Sequence, residues 1–259
     1  MKKDFSKGNA ESRYNSPVEL LRKALRGRKT LVFLDLEGTQ FSHEMIEIGA
    51  YKVILRDDLT VKRVFPGFKS YVVPKGRVGK VVTDLTGITE EIIDKEGKPY
   101  RVVQQSFKKY VGRDFKNALF VTFGAHDFVI INASAENNMD ASMEQARFVI
   151  HHGLDFAQWI ANFIRDPNGN NYSLANYLKI FGVPFEGKAH DALVDAYNLV
   201  ELYKAILANP NILKENYKDL AAKKTSHYPD PIRKVILQLQ QGKPVTPEDY
   251  DQFVEEYLK

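Results

Sequence analysis

No cysteine occurs among the 259 residues of this chain. That absence excludes disulfides, thiolate zinc sites, iron–sulfur clusters and a cysteine nucleophile. Any metal bound here has to be held by oxygen or imidazole. Long apolar runs are missing as well, and none approaches the roughly 20 residues that cross a bilayer. The opening MKKDFSKGNAESRYNS is basic but has no apolar stretch behind it, unlike a secretory leader. A cytoplasmic protein with no membrane partner is therefore expected. Internal repeats and low-complexity linkers are also lacking. What remains, 44% hydrophobic and 27% charged residues, is the composition of a soluble globule with a sizeable core.

A formal net charge of +4 hides an uneven distribution. Residues 1–30 carry +6, and the other 229 carry −2. The body is thus slightly acidic and the N-terminal arm holds the positive excess. Such an arm can attract nucleic acid or another acidic partner, or can be a solvated tail and helix face. Three regions are expected: a basic arm with a helix over 1–29, a catalytic domain over 30–208, and a helical extension over 209–259.

Periodicity gives the element order. Pro17–Leu25 can form one helix with Val18, Leu21 and Leu25 on a face. Thr30–Leu36 is a short apolar run suited to a buried strand. Met45–Leu55 and Arg63–Val73 are further strand candidates, and short loops between the three suggest an antiparallel meander. Thr83–Ile93, opening on a turn, and Val102–Val111 read as helices. Ala118–Phe123 reads as a strand, Met143–Ala146 as a short helix, and Phe148–His151 as a fifth strand. Helices are expected over Leu154–Ile164, Ser173–Phe181 and Ala192–Leu207, with two or three more after residue 210. Strands first, then strands interleaved with helices, indicate an α/β fold with a mixed sheet.

Several carboxylates do not suit a core. Asp35 and Glu37 end the first strand in DLEGT, on one face by alternation. Side by side they repel unless a cation sits between them, although the same residues also suit a turn. Asp127 closes FVTFGAHD after another strand. If the two strands run parallel as neighbours, Asp35 and Asp127 meet at adjacent tips, where α/β sheets build their sites. The alternative is an N-cap for the next helix. His190 and Asp195 open the long helix in HDALVDAYNLVELY. Acids in a first turn also complement the helix dipole without further purpose. Together these residues supply four carboxylates and one histidine, each at the tip of an element. Hard oxygen ligands without thiolates suit Mg²⁺ or Mn²⁺. Two such ions about 4 Å apart clamp the in-line attack on a phosphodiester, and a histidine can take the water's proton.

These motifs resemble those of the DnaQ-like 3′–5′ exonucleases, the histidine-bearing (DEDDh) class of the DEDD superfamily. FLDLEGT is similar to that family's D-x-E motif, and His190–Ala196 (HDALVDA) to its H-x4-D motif. Leu85–Thr89 (LTGIT) resembles the TGIT element after the third strand. The three occur in family order within residues 30–207. Many members carry an Asn four residues before the second-motif Asp, where this chain has Phe123. Gly124, three residues before Asp127, instead resembles the WG-x-x-D pattern of the Eri-like subgroup, which trims RNA 3′ ends. Asp140, in a polar loop-like stretch, is the alternative to Asp127.

The resemblance implies a ribonuclease H-like fold: a five-stranded mixed sheet, three strands antiparallel and two parallel, flanked by helices. It implies that Asp35, Glu37, Asp127 and Asp195 hold two divalent cations and that His190 is the general base. Gly38 and Thr39 would lie against the terminal nucleotide, their backbone amides meeting its 3′-hydroxyl. Phe41 or Met45 would pack on the last base. His126 is open to either a site or a packing role, and His151–His152 reads as structural. The implied activity is release of nucleoside 5′-monophosphates from the 3′ end of single-stranded RNA or DNA, with RNA slightly favoured. A catalytically silent nucleic-acid binder on the same fold is the alternative. An endonuclease or integrase type fits less well, because such sites rely mainly on acids and this one carries His190.

Overall fold

The structure, a computed structural model, describes residues 17–259. The arm's first sixteen residues, with four of its nine basic residues, lie outside the described residues. Its helix, α1 (Pro17–Leu25), buries Leu21 and Leu25 as expected.

The sheet contains β1 (Thr30–Gly38), β2 (Met45–Leu55), β3 (Val61–Val64), β4 (Phe68–Val73), β5 (Lys98–Pro99), β6 (Ala118–Thr122) and β7 (Gly153–Asp155). Its order is β5-β4-β2-β1-β6-β7, with β3 beside β2. β4, β2 and β1 run antiparallel; β6 joins β1 in parallel and β7 joins β6 in parallel. This is the expected mixed sheet, with β3 and the two-residue β5 added at its margin. Central strands buried on both faces read as continuous apolar runs, which is why TLVFL is apolar throughout.

Alternation along β1 sends Leu31 and Phe33 to one core, and Val32 and Leu34 to the other. The helices are α2 (Lys80–Thr86), α3 (Glu90–Glu96), α4 (Tyr100–Val111), α5 (His126–Asn137), α6 (Met143–His151), α7 (Phe156–Ile160), α8 (Leu174–Ile180), α9 (Ala192–Ala208), α10 (Pro210–Lys224), α11 (Asp230–Gln240) and α12 (Pro247–Leu258). α1, α7, α8 and α9 cover the first core; α4, α5 and α6 cover the second.

Four segments differ from the sequence expectation. Arg63–Val73 is not one strand but β3 and β4. Pro66 has no N–H for a ladder, and Gly67 sits where a Cβ would come within 2.7 Å of the Leu193 side chain. Phe148–His151 belongs to α6, because Ser142 caps that helix through the Gln145 N–H and its buried residues follow a helical period. The fifth strand lies just beyond, at β7, where Gly153 leaves room for the Phe128 ring. Leu154–Ile164 is split, since Asp155 ends β7 and caps α7 through the Gln158 N–H. Thr83–Ile93 spans two helices, separated by Gly87 in the left-handed region at φ 83°.

Three helices follow α9. Proline begins α10 and α12 at positions where an N–H would be unpaired anyway. Leu213, Leu220 and Phe253 are the buried apolar anchors of this extension. Among the described residues, no helix is long and apolar enough to cross a membrane.

Candidate active site

The site forms at the carboxyl ends of the parallel pair β1 and β6. Asp35 and Glu37 are two residues apart on β1 and pair across β2 with Gly49 and Glu47. The ladder shifts register between Glu37 and Gly38, so the pairing ends as the chain leaves the sheet. Asp127 lies in the first turn of α5 and is buried. Its Oδ1 accepts a hydrogen bond from the Leu36 N–H at 2.9 Å, between the two β1 acids. It is therefore not the N-cap of α5; Ala125 holds that position. Asp140 is exposed beyond the other end of α5, and so is not the second-motif acid of this cluster.

His190 and Asp195 arrive from the opposite side, on the entry to α9. Asp191 is the N-cap, accepting from the Leu193 and Val194 N–H groups. Asp195 sits in the first turn, and its Oδ2 accepts from the His190 N–H at 2.9 Å. His190 holds φ 63°, a left-handed conformation unusual outside glycine. Its Nδ1 stands 4.0 Å from Glu37 Oε1. One potential ligand atom each from Glu37, His190 and Asp195 lies within 4.8 Å of the others.

The electrostatics describe a site short of positive charge. Burial and the neighbouring Asp127, Asp195 and Glu37 push the Asp35 carboxyl well above its usual range. Burial, then Asp195 and Glu47, raise Glu37 to about 8. Burial raises Asp127 to about 7, against the pull of its backbone hydrogen bonds. Asp195 is raised by burial too, although the His190 backbone and ring oppose it. Crowded carboxylates that resist ionising, with an all-oxygen and imidazole donor set, fit hard divalent cations. Glu37, His190 and Asp195 stand close enough to share one such ion, and the buried Asp35 and Asp127 carboxylates beside them could supply further oxygen ligands.

The remaining expected contacts lie on the loop after β1. Thr39 is buried, and its amide donates to the Glu44 carbonyl at 2.8 Å. Its hydroxyl accepts from the Glu44 N–H. That amide is therefore not available to a 3′-hydroxyl, and Thr39 instead shapes the loop. Met45 is buried in the second core, with almost none of its side chain exposed to offer a base. Gly38 is half-buried at the strand end, and Phe41 stands 80% exposed. His126 packs edge-on against His43 at 5.1 Å between ring centroids. His152 stacks on Phe148 at 4.1 Å, in keeping with a structural role.

Three charged residues beside the site had no sequence motif. Glu44 is buried and its carboxylate accepts from the Lys75 and Gly76 N–H groups, bracing the Phe41 loop against the chain before α2. Glu47 is buried on β2, and its Oε2 accepts from the Ala192 N–H at 2.9 Å. Lys69 on β4 reaches Glu47 at 2.9 Å and Asp191 at 2.6 Å. Burial alone would lower the Lys69 pKa, but the two carboxylates outweigh it and leave it raised. A glutamate inside the apolar run MIEIGAYKVIL was the one available signal for Glu47; Lys69 had none.

Comparison with known proteins agrees with this geometry. The Exonuclease (RNase_T) family model matches residues 32–203. A 3′–5′ exonuclease of Drosophila melanogaster, Snipper, is 26% identical over 208 residues, covering 69% of this chain and 69% of that protein. The nuclease domain of 3′hExo, a DEDDh family member bound to rAMP, superposes with a TM-score of 0.56 at 18% identity, covering 70% of this chain and 93% of that one. Escherichia coli Exonuclease I in complex with a dT13 oligonucleotide gives 0.53 at 17% identity, over 72% of this chain and 43% of that one. The mixed sheet is thus that of a ribonuclease H-like exonuclease. Family model and homologue converge on one assignment: this chain belongs to the RNase_T exonuclease family, as a 3′–5′ exonuclease.

Proposed function

We propose that the chain removes nucleotides one at a time from the 3′ end of single-stranded RNA or DNA, RNA slightly favoured, and releases nucleoside 5′-monophosphates. The observation that carries this reading is the meeting of four carboxylates with raised pKa values beside a half-exposed histidine. Asp35, Glu37, Asp127 and Asp195 would hold two divalent cations, Mg²⁺ or Mn²⁺. When bound, these supply neutralising charge for the phosphate and polarise the attacking water. His190 accepts that water's proton at a ring nitrogen as the oxygen bonds to phosphorus. The P–O bond to the penultimate 3′-oxygen breaks, and that oxygen leaves with a proton as the new 3′-hydroxyl. Gly38, at the end of β1, makes room for the Ile130 side chain, and its backbone would lie against the terminal nucleotide. The Phe41 ring offers a stacking surface, which tolerates any base.

RNA is favoured because Gly124 and Asp127 resemble the RNA-trimming subgroup. The rAMP seen on 3′hExo is consistent with that choice, while the dT13 on Exonuclease I keeps DNA within the reading. The test uses 5′-labelled RNA and DNA oligomers with Mg²⁺ or Mn²⁺. A descending ladder is expected, faster on RNA and abolished by chelator. A few internal cuts, or full activity in excess chelator, would overturn the mechanism.

A further inference from the structure

His190 presents its ring from a strained backbone, and 45% of that side chain is exposed. Its placement depends on what holds the start of α9, and three contacts do so from the sheet. Gly49 of β2 lies so close to the Ala192–Leu193 peptide that a Cβ would come within 2.1 Å of it. The Glu47 carboxylate accepts from the Ala192 N–H, the first N–H of the helix. Lys69 closes the arrangement by bridging Glu47 on one side and Asp191 on the other. Asp191 is at once the cap of α9 and the residue after His190.

We propose that Lys69 is a positioning residue for His190: by tying the Asp191 cap to the Glu47 carboxylate, it fixes the turn that aims the imidazole at the carboxylate cluster. The chemistry is economical. Two carboxylates beside an acidic cluster would drive each other apart, and a single ammonium with three donors satisfies both. Glu47 also faces Glu37 across the strand pair, and its charge bears on the cluster even with Lys69 beside it, so removing the ammonium would add to that repulsion. Lys69 stands one shell behind the proposed metal-holding acids, being joined to Glu47 and Asp191 and to neither His190 nor Asp195. A misplacement of about 1 Å in such a site costs up to 10²-fold in rate.

The kinetic arm of the test rests on the exonuclease reading; the structural arm does not. Lys69→Met, Lys69→Arg and Asp191→Asn are compared with the unaltered chain. Asparagine still caps a helix but offers Lys69 no charge. Expected is a fall in kcat of about 10–100-fold for Lys69→Met, with KM changed little, substantial rescue by Lys69→Arg, and an intermediate loss for Asp191→Asn. Hydrogen exchange of the amides of residues 188–196 is measured on the same samples. Faster exchange there in Lys69→Met, with the remaining strands unchanged, supports the clamp even if the unaltered chain released no nucleotide, an outcome that would count against the proposed function alone. Unchanged exchange overturns the clamp. So does a rise in KM at constant kcat, which would make Lys69 a substrate contact.

Discussion

At the scale of single residues, the cluster stores unfavourable charge that a ligand can relieve. Glu37 and Asp127 hold their protons to about 8 and about 7 in the folded protein, whereas an unfolded chain releases them near 4. The folded state therefore binds more protons across that window, so stability falls as pH rises from about 4 to 8. The expected outcome is a metal-free Tm that declines from pH 5 to pH 8, with Mn²⁺ raising Tm more at pH 8 than at pH 5. A thermal scan with chelator and with Mn²⁺ at both pH values measures this; an equal metal effect at both would contradict the raised carboxylates. Asp35→Ala and Asp195→Ala should abolish nucleotide release while the fold, followed by circular dichroism, persists. His190→Ala should slow turnover by about 10²–10⁴-fold while Mn²⁺ still raises Tm. The motif acids and the histidine were legible because their spacing is local: two residues within one strand, five across one helix entry. The surroundings of Thr39 and Met45 were not legible: the Thr39 amide is taken by the Glu44 carbonyl through a local loop turn that neither period expresses, and the burial of Met45 is set by the packing of the second core.

Among elements, the decisive relation is α9 on β2. Gly49 permits it, since any side chain there would occupy the path of the Ala192–Leu193 backbone. Gly49→Ala should cost about 1–3 kcal/mol of overpacking strain or more, and should lower activity together with Tm. Parallel thermal and kinetic measurements check this; an alanine variant with unaltered Tm would refute the close packing. The strand order was partly legible from the strong apolar runs of β1, β2 and β6. Alternation and period could not separate the short segments. β7 has three residues and α7 five, too few to express either period, and both were absorbed into neighbouring elements. Pro66 and Gly67 marked the β3–β4 break in the sequence, but the need for that break arises from Leu193, more than a hundred residues away.

For the whole molecule, the extension after α9 divides by burial. α10 contributes Leu213 to the core shared by α1, α7 and α9. α11 and α12 leave Leu237, Leu239, Tyr257 and Leu258 exposed. Truncation after residue 228 should therefore lower Tm only slightly, whereas truncation after residue 208 should destabilise strongly by uncovering Ile206 and Phe163. Equal losses for the two truncations, compared by thermal melts, would contradict this division.

The sheet order also sets when the enzyme can exist. Asp35 and Glu37 are made early in the chain, Asp127 in its middle, and His190 and Asp195 some sixty residues later. At synthesis rates of about 5–20 residues per second, β1 through α5 emerge several seconds before α9 does. A nascent chain therefore displays three of the acids without the helix that completes them. Any activity that needs His190 and Asp195 begins only once α9 has emerged and packed on β2.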